Sequence, residues 1–288
     1  MLNYVKALEI RTNKERVEYV KKVLKEKGVQ YESQPFRLRL LKGENIIVNQ
    51  YCTPNSRNQF LITAHTNKYF TSPGANDNAS GVSVLLKIAE NLRAKNVSEN
   101  AGIKIVFFDH EDGLAYLDGS TYFVKNVDLS KVSFVLNIDM VGTGSAVAIS
   151  PRLAKKTDKY TAYLLNFLDR QKIRYLSFDL PPLISEDHVP FIKRVPAISL
   201  NLLPKSDMDY LVHWLRAPLL SQIKDWLLLR FNRKNHPMFT MQHRHNELDT
   251  SEFIQNESLC LCEKIIMDIV DYHIAQRTSF PKERPFHN

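Results

Sequence analysis

The chain has 288 residues and a formal net charge of +8, from 39 lysines and arginines against 31 aspartates and glutamates. Its 44% hydrophobic and 24% charged residues are ordinary for a globular protein, which excludes a disordered, collagen-like or coiled-coil chain. The three cysteines, Cys52, Cys260 and Cys262, form no metal-type pairs, and no signal peptide is recognisable. We therefore expect reduced thiols and a cytoplasmic location.

The first half of the chain alternates between helical and strand-like patterns. A helix is predicted over about 14–27, because apolar residues recur at helical spacing and Gly28 follows as a stop signal. Further along, strands are predicted at about 35–40, 46–51, 59–64 and 103–108, with a helix at about 80–93.

The second half continues the alternation. Strands are predicted at about 134–138, 146–149 and 196–202, and helices at about 155–171 and 251–276. Strands that alternate with helices favour a parallel sheet. The sequence thus predicts one α/β domain over residues 1–288, with a mostly parallel mixed sheet and helices on both faces.

Residues 204–243 depart from this alternation. The stretch is rich in large apolar residues and contains Pro218, which predicts two helices joined near the proline. These helices could cover the sheet core, form a lid over a site, or form a subunit interface. The sequence leaves the three interpretations open.

Side chains that bind metals follow the ends of the predicted strands. In open α/β sheets, ligands bind in the crevice beyond the carboxyl ends of the strands. Singly, each residue has an ordinary alternative, because an Asp before a helix is often an N-cap and a lone His is often structural. Together, they would carry unpaired charge in a crevice. The set comprises His65, Asp77, Glu111, Asp112, Asp139 and His245.

Carboxylate oxygens mixed with imidazole nitrogens suit zinc better than manganese or cobalt. The chain lacks a helical H-E-x-x-H motif, so zinc peptidase chemistry would depend on this dispersed set. Two metals about 3.5–4 Å apart need a carboxylate that offers one oxygen to each. Glu111 and Asp112 are neighbours in an extended stretch, so one can bind metal while the other acts on water.

Five segments resemble, in order and spacing, one enzyme family. They are AHTNKYFTSPGANDNASGVSVLLKIAENL, VFFDHEDGLAYLDGS, LNIDMVG, SEDHVPF and HNELDT. The family is the di-zinc aminopeptidase family, metallopeptidase family twenty-eight, which includes secreted bacterial aminopeptidases, glutamate carboxypeptidase and glutaminyl cyclase. The resemblance covers about residues 59–253 and implies a fold of the zinc exopeptidase type.

The resemblance also implies a role for each site residue. Glu111 would be the general base that takes a proton from a metal-activated water. Two zinc ions would be bound, with His65 and Asp139 on one, Asp112 and His245 on the other, and Asp77 between them.

Two positions depart from the family pattern. Asp112 stands where the family usually has the longer Glu, which could weaken the second zinc site. Asn67 replaces an aspartate that orients the first histidine, and its amide carbonyl could still accept the imidazole N–H. Asp187, His188 and Asp249 lie in the matching segments and are further candidates for contact with substrate or for support of the ligands.

The leading hypothesis from the sequence is a zinc aminopeptidase acting on peptides. The alternatives are a glutaminyl cyclase-like acyltransferase, which works with a single zinc, and an inactive binding protein on the same scaffold.

A basic stretch at 11–27 is interpreted as a solvated helix face, so no nucleic-acid partner is expected. No membrane span is expected either, because the most apolar stretch is shorter than the about 20 residues required. The oligomeric state remains open.

Overall fold

The computed structural model describes residues 1–38, 41–53, 56–112, 117–151, 158–178, 186–231 and 235–278. Its helices are α1 (Leu2–Glu9), α2 (Asn13–Glu26), α3 (Gly81–Ala94), α4 (Asp118–Asn126), α5 (Lys159–Arg170), α6 (Lys205–Arg216), α7 (Leu219–Phe231), α8 (Phe239–His243) and α9 (Asn256–Thr278). Its strands are β1 (Glu32–Leu38), β2 (Leu41–Tyr51), β3 (Gln59–His65), β4 (Ile103–Phe108), β5 (Val132–Ile138), β6 (Ala146–Ser150), β7 (Tyr175–Ser177) and β8 (Ala197–Leu203).

The strands form an eight-stranded mixed sheet in the order β1-β2-β4-β3-β5-β8-β6-β7. The centre is parallel, because β3 pairs with β4 and β5, and β5 pairs with β8. Antiparallel pairs flank it, with a hairpin of β1 and β2 on one side and β6 against β8 on the other. The predicted α/β fold with a mixed sheet is confirmed. Its parallel centre aligns the carboxyl ends of β3, β4 and β5 at one edge.

Alternation along the central strands separates two apolar layers. On β3, Phe60 and Ile62 join a large buried cluster with α2, α3 and α9. Leu61 points to the opposite face, into a smaller cluster that includes Phe123 of α4. Side chains of a strand alternate between the two faces of the sheet, so this pattern requires cover on both. Helices supply that cover, as the sequence predicts.

Most predicted elements are present with shifted ends. Helix α2 begins at Asn13, because Thr12 forms a capping box with Glu15. The strand predicted at 35–40 is β1, and residues 39 and 40 lie outside the described part of the chain. The strand predicted at 46–51 begins earlier, at Leu41, because its added residues pair with β1.

Some elements are not predicted by the sequence pattern. Helices α1 and α4 are short, and β7 has 3 residues, so none carries a sustained periodic signal. The helix predicted from 251 begins instead at Asn256, after a separate turn at Ser251–Phe253. The helix predicted at 155–171 is α5, and residues 155–157 are outside the described part.

The region 204–243 contains α6 and α7 on either side of Pro218, as predicted, followed by α8. Helix α6 buries Met208 and Leu211 in a cluster with Ala148 of β6, so it covers the sheet. Three large apolar side chains of α7 are exposed, namely Leu220, Ile223 and Leu227. The lid and interface interpretations therefore stay predictions for α7. Within the described residues, every helix is too short or too polar to cross a membrane.

Candidate metal centre

The parallel strands bring three candidate site residues to one edge of the sheet. His65 is the last residue of β3, Glu111 lies in the loop after β4, and Asp139 directly follows β5. Because β3 lies between β4 and β5, these three side chains converge. Their exposed fractions are 1%, 1% and 2%, so the cluster is shielded from bulk water.

Two further loops complete the cluster. Asp77 lies in the turn Ala75–Ser80 that leads into α3, and His245 follows α8. His245 has a φ of +61°, and the residues before Glu111 and after Asp139 also have positive φ. Non-glycine residues in this left-handed region cost on the order of 1–3 kcal/mol each and cluster at functional sites. The loops are thus held in unusual conformations where they carry the candidate site residues.

Three of the side chains form a first ligand group. His65 Nε2 lies 3.3 Å from Asp77 Oδ1 and 3.5 Å from Asp139 Oδ1. One ligand atom from each residue lies within 4.8 Å of the other two. Zinc bonds of about 2.0–2.2 Å place neighbouring ligand atoms of a tetrahedral site about 3.3 Å apart, so this spacing suits one zinc.

A second ligand group shares Asp77 with the first. His245 Nε2 lies 3.1 Å from Asp77 Oδ2 and 2.8 Å from Asp112 Oδ1. Asp77 therefore presents Oδ1 to the first group and Oδ2 to the second. This is the arrangement of a carboxylate that bridges two metals. A third combination of His65, Glu111 and Asp112 also meets the 4.8 Å spacing.

The hydrogen bonding of these atoms tests whether zinc fits. Among the described residues, Asp112 Oδ2 is buried without a hydrogen-bond partner. The other buried site atoms, namely His65 Nε2, Asp77 Oδ1, Asp112 Oδ1 and Asp139 Oδ1, face one another or His245 Nε2. Buried polar atoms are normally paired, and leaving them unpaired is costly. A divalent cation would satisfy all of them, and the mixed nitrogen and oxygen donors suit zinc.

Glu111 lies beside both groups. Its Oε2 is 3.9 Å from His65 Nε2, and neither of its carboxylate oxygens has a hydrogen-bond partner among the described residues. Burial and the neighbouring charge of Asp112 raise the pKa of Glu111 well above its ordinary value. A carboxyl group with a raised pKa can take up and hold a proton, which suits acid–base chemistry.

Asn67 supports the site differently from the sequence-based expectation. His65 Nδ1 lies 3.0 Å from the backbone oxygen of Asn67, not from its side chain. The side-chain carbonyl accepts from the backbone N–H of Glu111 at 2.8 Å, and the amide donates to the backbone oxygen of Asp112 at 3.1 Å. The expectation that the Asn67 amide orients the imidazole is therefore wrong. The amide instead holds the loop after β4, and an aspartate could not make the donated bond.

Asp249 positions the bridging residue. Its Oδ1 accepts from the backbone N–H of Asn76 at 2.7 Å, and its Oδ2 from that of Asp77 at 3.1 Å. Burial and the charge of Asp77 raise the pKa of Asp249 to about 7. Asp249 thus links the loop that carries His245 to the turn that carries Asp77.

Asp187 and His188 are buried near the centre. Burial raises the pKa of Asp187 to about 7, and its charge contributes to the raised pKa of Glu111. His188 Nδ1 lies 3.5 Å from Glu186 Oε2. Both residues thus lie in the surroundings of the site, and their contact with substrate stays a prediction.

The structure adds two residues, Glu186 and Arg244, to the site residues predicted from the sequence. Burial and Asp139 raise the pKa of Glu186 to about 7. The side chain of Arg244 is 16% exposed, and its Nε donates to Asp77 Oδ2 at 2.8 Å. Although burial opposes it, the charges of Asp77 and Asp112 raise the pKa of Arg244 above its ordinary value. The sequence offered one signal for Arg244. Four carboxylates in the predicted site outnumber its two histidines, and buried carboxylates need a cation nearby.

Comparison with known proteins supports a shared family and fold. Residues 45–270 match the family model described as Peptidase family M28. The aminopeptidase YwaD of Bacillus subtilis strain 168 is 37% identical over 137 residues, or 45% of this chain and 29% of that protein. Leucine aminopeptidase 2 of Trichophyton rubrum is 33% identical over 90 residues, or 30% of this chain and 17% of that protein. The matched stretches thus span less than a third of these curated relatives.

Solved structures share the fold over a longer stretch. A glutaminyl cyclase from Porphyromonas gingivalis has a TM-score of 0.67 at 20% identity, covering 94% of this chain and 96% of that chain. The zinc aminopeptidase BSAP from Bacillus subtilis has a TM-score of 0.58 at 22% identity, covering 80% of this chain and 50% of that chain.

Proposed function

The chain belongs to peptidase family M28, and we propose that it is a zinc-dependent aminopeptidase that hydrolyses amino-terminal residues from peptides, with Glu111 as general base. The observation that carries the proposal is the position of Asp77, which offers one carboxylate oxygen to each of two ligand groups. Glu111 lies beside them, and neither of its carboxylate oxygens has a hydrogen-bond partner among the described residues.

The proposed cofactor is a pair of zinc ions. His65, Asp139 and Asp77 would hold the first, and Asp112, His245 and Asp77 would hold the second. When bound, the pair supplies Lewis-acid chemistry, which polarises a peptide carbonyl and makes a water molecule more acidic.

The remaining chemistry belongs to the side chains. The Glu111 carboxylate accepts one proton as the water oxygen bonds to the scissile carbon, and it delivers that proton to the departing amine as the C–N bond breaks. One water is consumed, and a free amino acid and a shortened peptide are formed. The Asn67 side chain accepts a hydrogen bond from the backbone N–H of Glu111 and so holds Glu111 in place. The Asp249 carboxylate accepts one from the backbone N–H of Asp77 and holds Asp77.

A glutaminyl cyclase activity is the second candidate. The specific observation in its favour is the extent of the fold match, which covers 96% of the cyclase chain but 50% of the BSAP chain. In that case, the same cluster would promote attack of an amino-terminal amine on the glutamine side-chain amide, with release of ammonia.

One experiment separates these functions. The purified protein is assayed for metal content, for release of amino acids from a panel of aminoacyl amides, and for pyroglutamate formation from peptides that begin with glutamine. Two zinc ions with amide hydrolysis support the aminopeptidase. One zinc with pyroglutamate and no hydrolysis would replace it with the cyclase.

A further inference from the structure

Arg244 contacts the second ligand group directly. Its Nε lies 2.8 Å from Asp77 Oδ2 and 3.2 Å from His245 Nε2. Its Nη2 lies 4.0 Å from Asp112 Oδ1. These three partners are the whole of the second group, so one guanidinium faces every residue proposed to bind the second zinc.

The local backbone explains how consecutive residues reach one cluster. In an extended chain, the side chains of neighbouring residues point to opposite sides. Arg244 is extended, with φ −56° and ψ 134°, but His245 is left-handed, with φ +61°. The reversal at His245 brings the guanidinium and the imidazole to the same carboxylates.

The contacts of Arg244 use the atoms that zinc would use. His245 Nε2 lies 2.8 Å from Asp112 Oδ1 and 3.2 Å from Arg244 Nε, so the guanidinium occupies part of the space beside Nε2 that a metal ion would need. The guanidinium is permanently charged and would repel a dication placed a few ångströms away. In the described part of the chain, neither His65 nor Asp139 of the first group has an arginine or lysine nitrogen as ion-pair partner within 4.0 Å.

We propose that Arg244 is a built-in counter-cation of the second ligand group, which zinc must displace, so that the two zinc sites load unequally. This inference rests on the proposed two-zinc function. Without zinc, Arg244 balances Asp77 and Asp112. Binding of zinc by Asp77, Asp112 and His245 would require the guanidinium to give up its contact with His245 Nε2.

The test compares zinc binding and metal-free stability in Arg244→Met, Arg244→Lys and a matched control. Methionine keeps much of the length of the side chain without its charge, and lysine keeps the charge without the planar fork. Arg174→Met is the control, because Arg174 pairs with Asp209 outside the centre. Zinc is titrated against a chromogenic chelator, and the unfolding midpoint is measured on chelator-stripped protein.

The two readouts should move in opposite directions. Arg244→Met should bind the second zinc at least about tenfold more tightly and gain less at the first, because the lost charge lies against His245 and Asp112 and acts on Asp139 only from farther away. Its metal-free form should unfold at a lower temperature, because Asp77 and Asp112 lose their cation. Arg244→Lys should stay within about threefold of wild type for the second zinc, because it retains the charge. Arg174→Met should match wild type.

Unchanged affinity for the second zinc in Arg244→Met would overturn the inference and leave the two-zinc proposal standing. The same holds for a variant that binds both zinc ions more weakly, since that result would make Arg244 a structural support. If wild type and Arg244→Met each bind only one zinc ion at saturating zinc, the inference and the two-zinc proposal are both overturned. The last outcome is distinct, because it appears as stoichiometry and not as affinity.

Discussion

The two ligand groups share Asp77 but are supported by different parts of the fold. In the first group, His65 ends β3 and Asp139 follows β5, so the parallel strand ladder sets their positions. In the second group, Asp112 and His245 lie on loops, and the His245 side chain is 16% exposed. A strand-borne ligand needs little beyond the sheet, whereas a loop-borne ligand depends on individual hydrogen bonds. The second group should therefore be the more easily perturbed.

The residue common to both groups gives the largest expected effect. Asp77→Ala removes the carboxylate that offers an oxygen to each group, so both zinc ions should be lost and hydrolysis with them. Metal analysis of the purified variant measures this loss. Asp128→Ala is the control, because the Asp128 carboxylate is exposed and pairs with Lys131 instead of a site residue. Retention of two zinc ions by Asp77→Ala would remove the bridging role.

The second prediction separates catalysis from metal binding. Glu111→Gln keeps the shape of the side chain but cannot take a proton. Loss of general acid–base catalysis typically costs about 10²–10⁴-fold, so turnover should fall at least about a hundredfold. Both zinc ions should remain, because Glu111 belongs to neither proposed ligand pair. Turnover and zinc content are measured on the same preparation, and loss of zinc would make Glu111 a ligand.

The strand-borne part of the centre was the easier to predict. Buried strands have long apolar runs, and a polar residue directly after such a run lies at the sheet edge, as His65 and Asp139 do. The parallel order then follows from the alternation of strands and helices. These signals are local in sequence, so composition and periodicity reveal them.

The support of the loop-borne part could not be predicted from local patterns. The contact between Asp249 and the turn at Asp77 joins residues far apart in the sequence, as does that between Arg244 and Asp77. Side-chain type alone also misled at Asn67, where the imidazole lies beside a backbone oxygen instead of the amide. Any residue at that position would present the backbone oxygen, so sequence carries no sign of it.

The Asn67 geometry leads to a third prediction with a smaller effect. Asn67→Ala removes the amide that holds Glu111 and Asp112, but leaves the backbone oxygen beside His65. Turnover and affinity for the second zinc should each fall about tenfold, as is typical when a residue behind a metal ligand is lost. The first zinc should bind as in wild type. Asn67→Asp keeps the acceptor but loses the donor, so its turnover and its affinity for the second zinc should lie between those of wild type and those of Asn67→Ala.

Zinc titration by competition with a chelator resolves the two sites in these variants. Equal weakening of both sites in Asn67→Ala would mean that the amide also supports His65, and the contrast between strand-borne and loop-borne ligands would fail at this position.

The smallest effect is expected where the two regions are joined. Asp249 accepts from two backbone N–H groups of the Asp77 turn, one with each carboxylate oxygen. Asp249→Asn leaves one oxygen and places an NH₂ group against the other N–H, so one buried donor loses its partner. Such a loss costs about 1–3 kcal/mol. Burial and Asp77 oppose the charge of Asp249, and Arg16, which donates to the backbone oxygen of Gly74 at the start of the same turn, favours it. The expected loss therefore comes from the hydrogen bond and not from the charge.

For a domain of this size, about 1 kcal/mol shifts the unfolding midpoint by roughly 2–4 °C, so Asp249→Asn should lower it by several degrees. Asp209→Asn is the control, because its ion pair with Arg174 is exposed and worth at most about 1 kcal/mol. Zinc should restore part of the lost stability, since metal bound at Asp77 favours the folded turn. A midpoint equal to that of the control would mean that other contacts hold the Asp77 turn. The loop carrying His245 would then contribute a ligand to the centre without positioning the bridge.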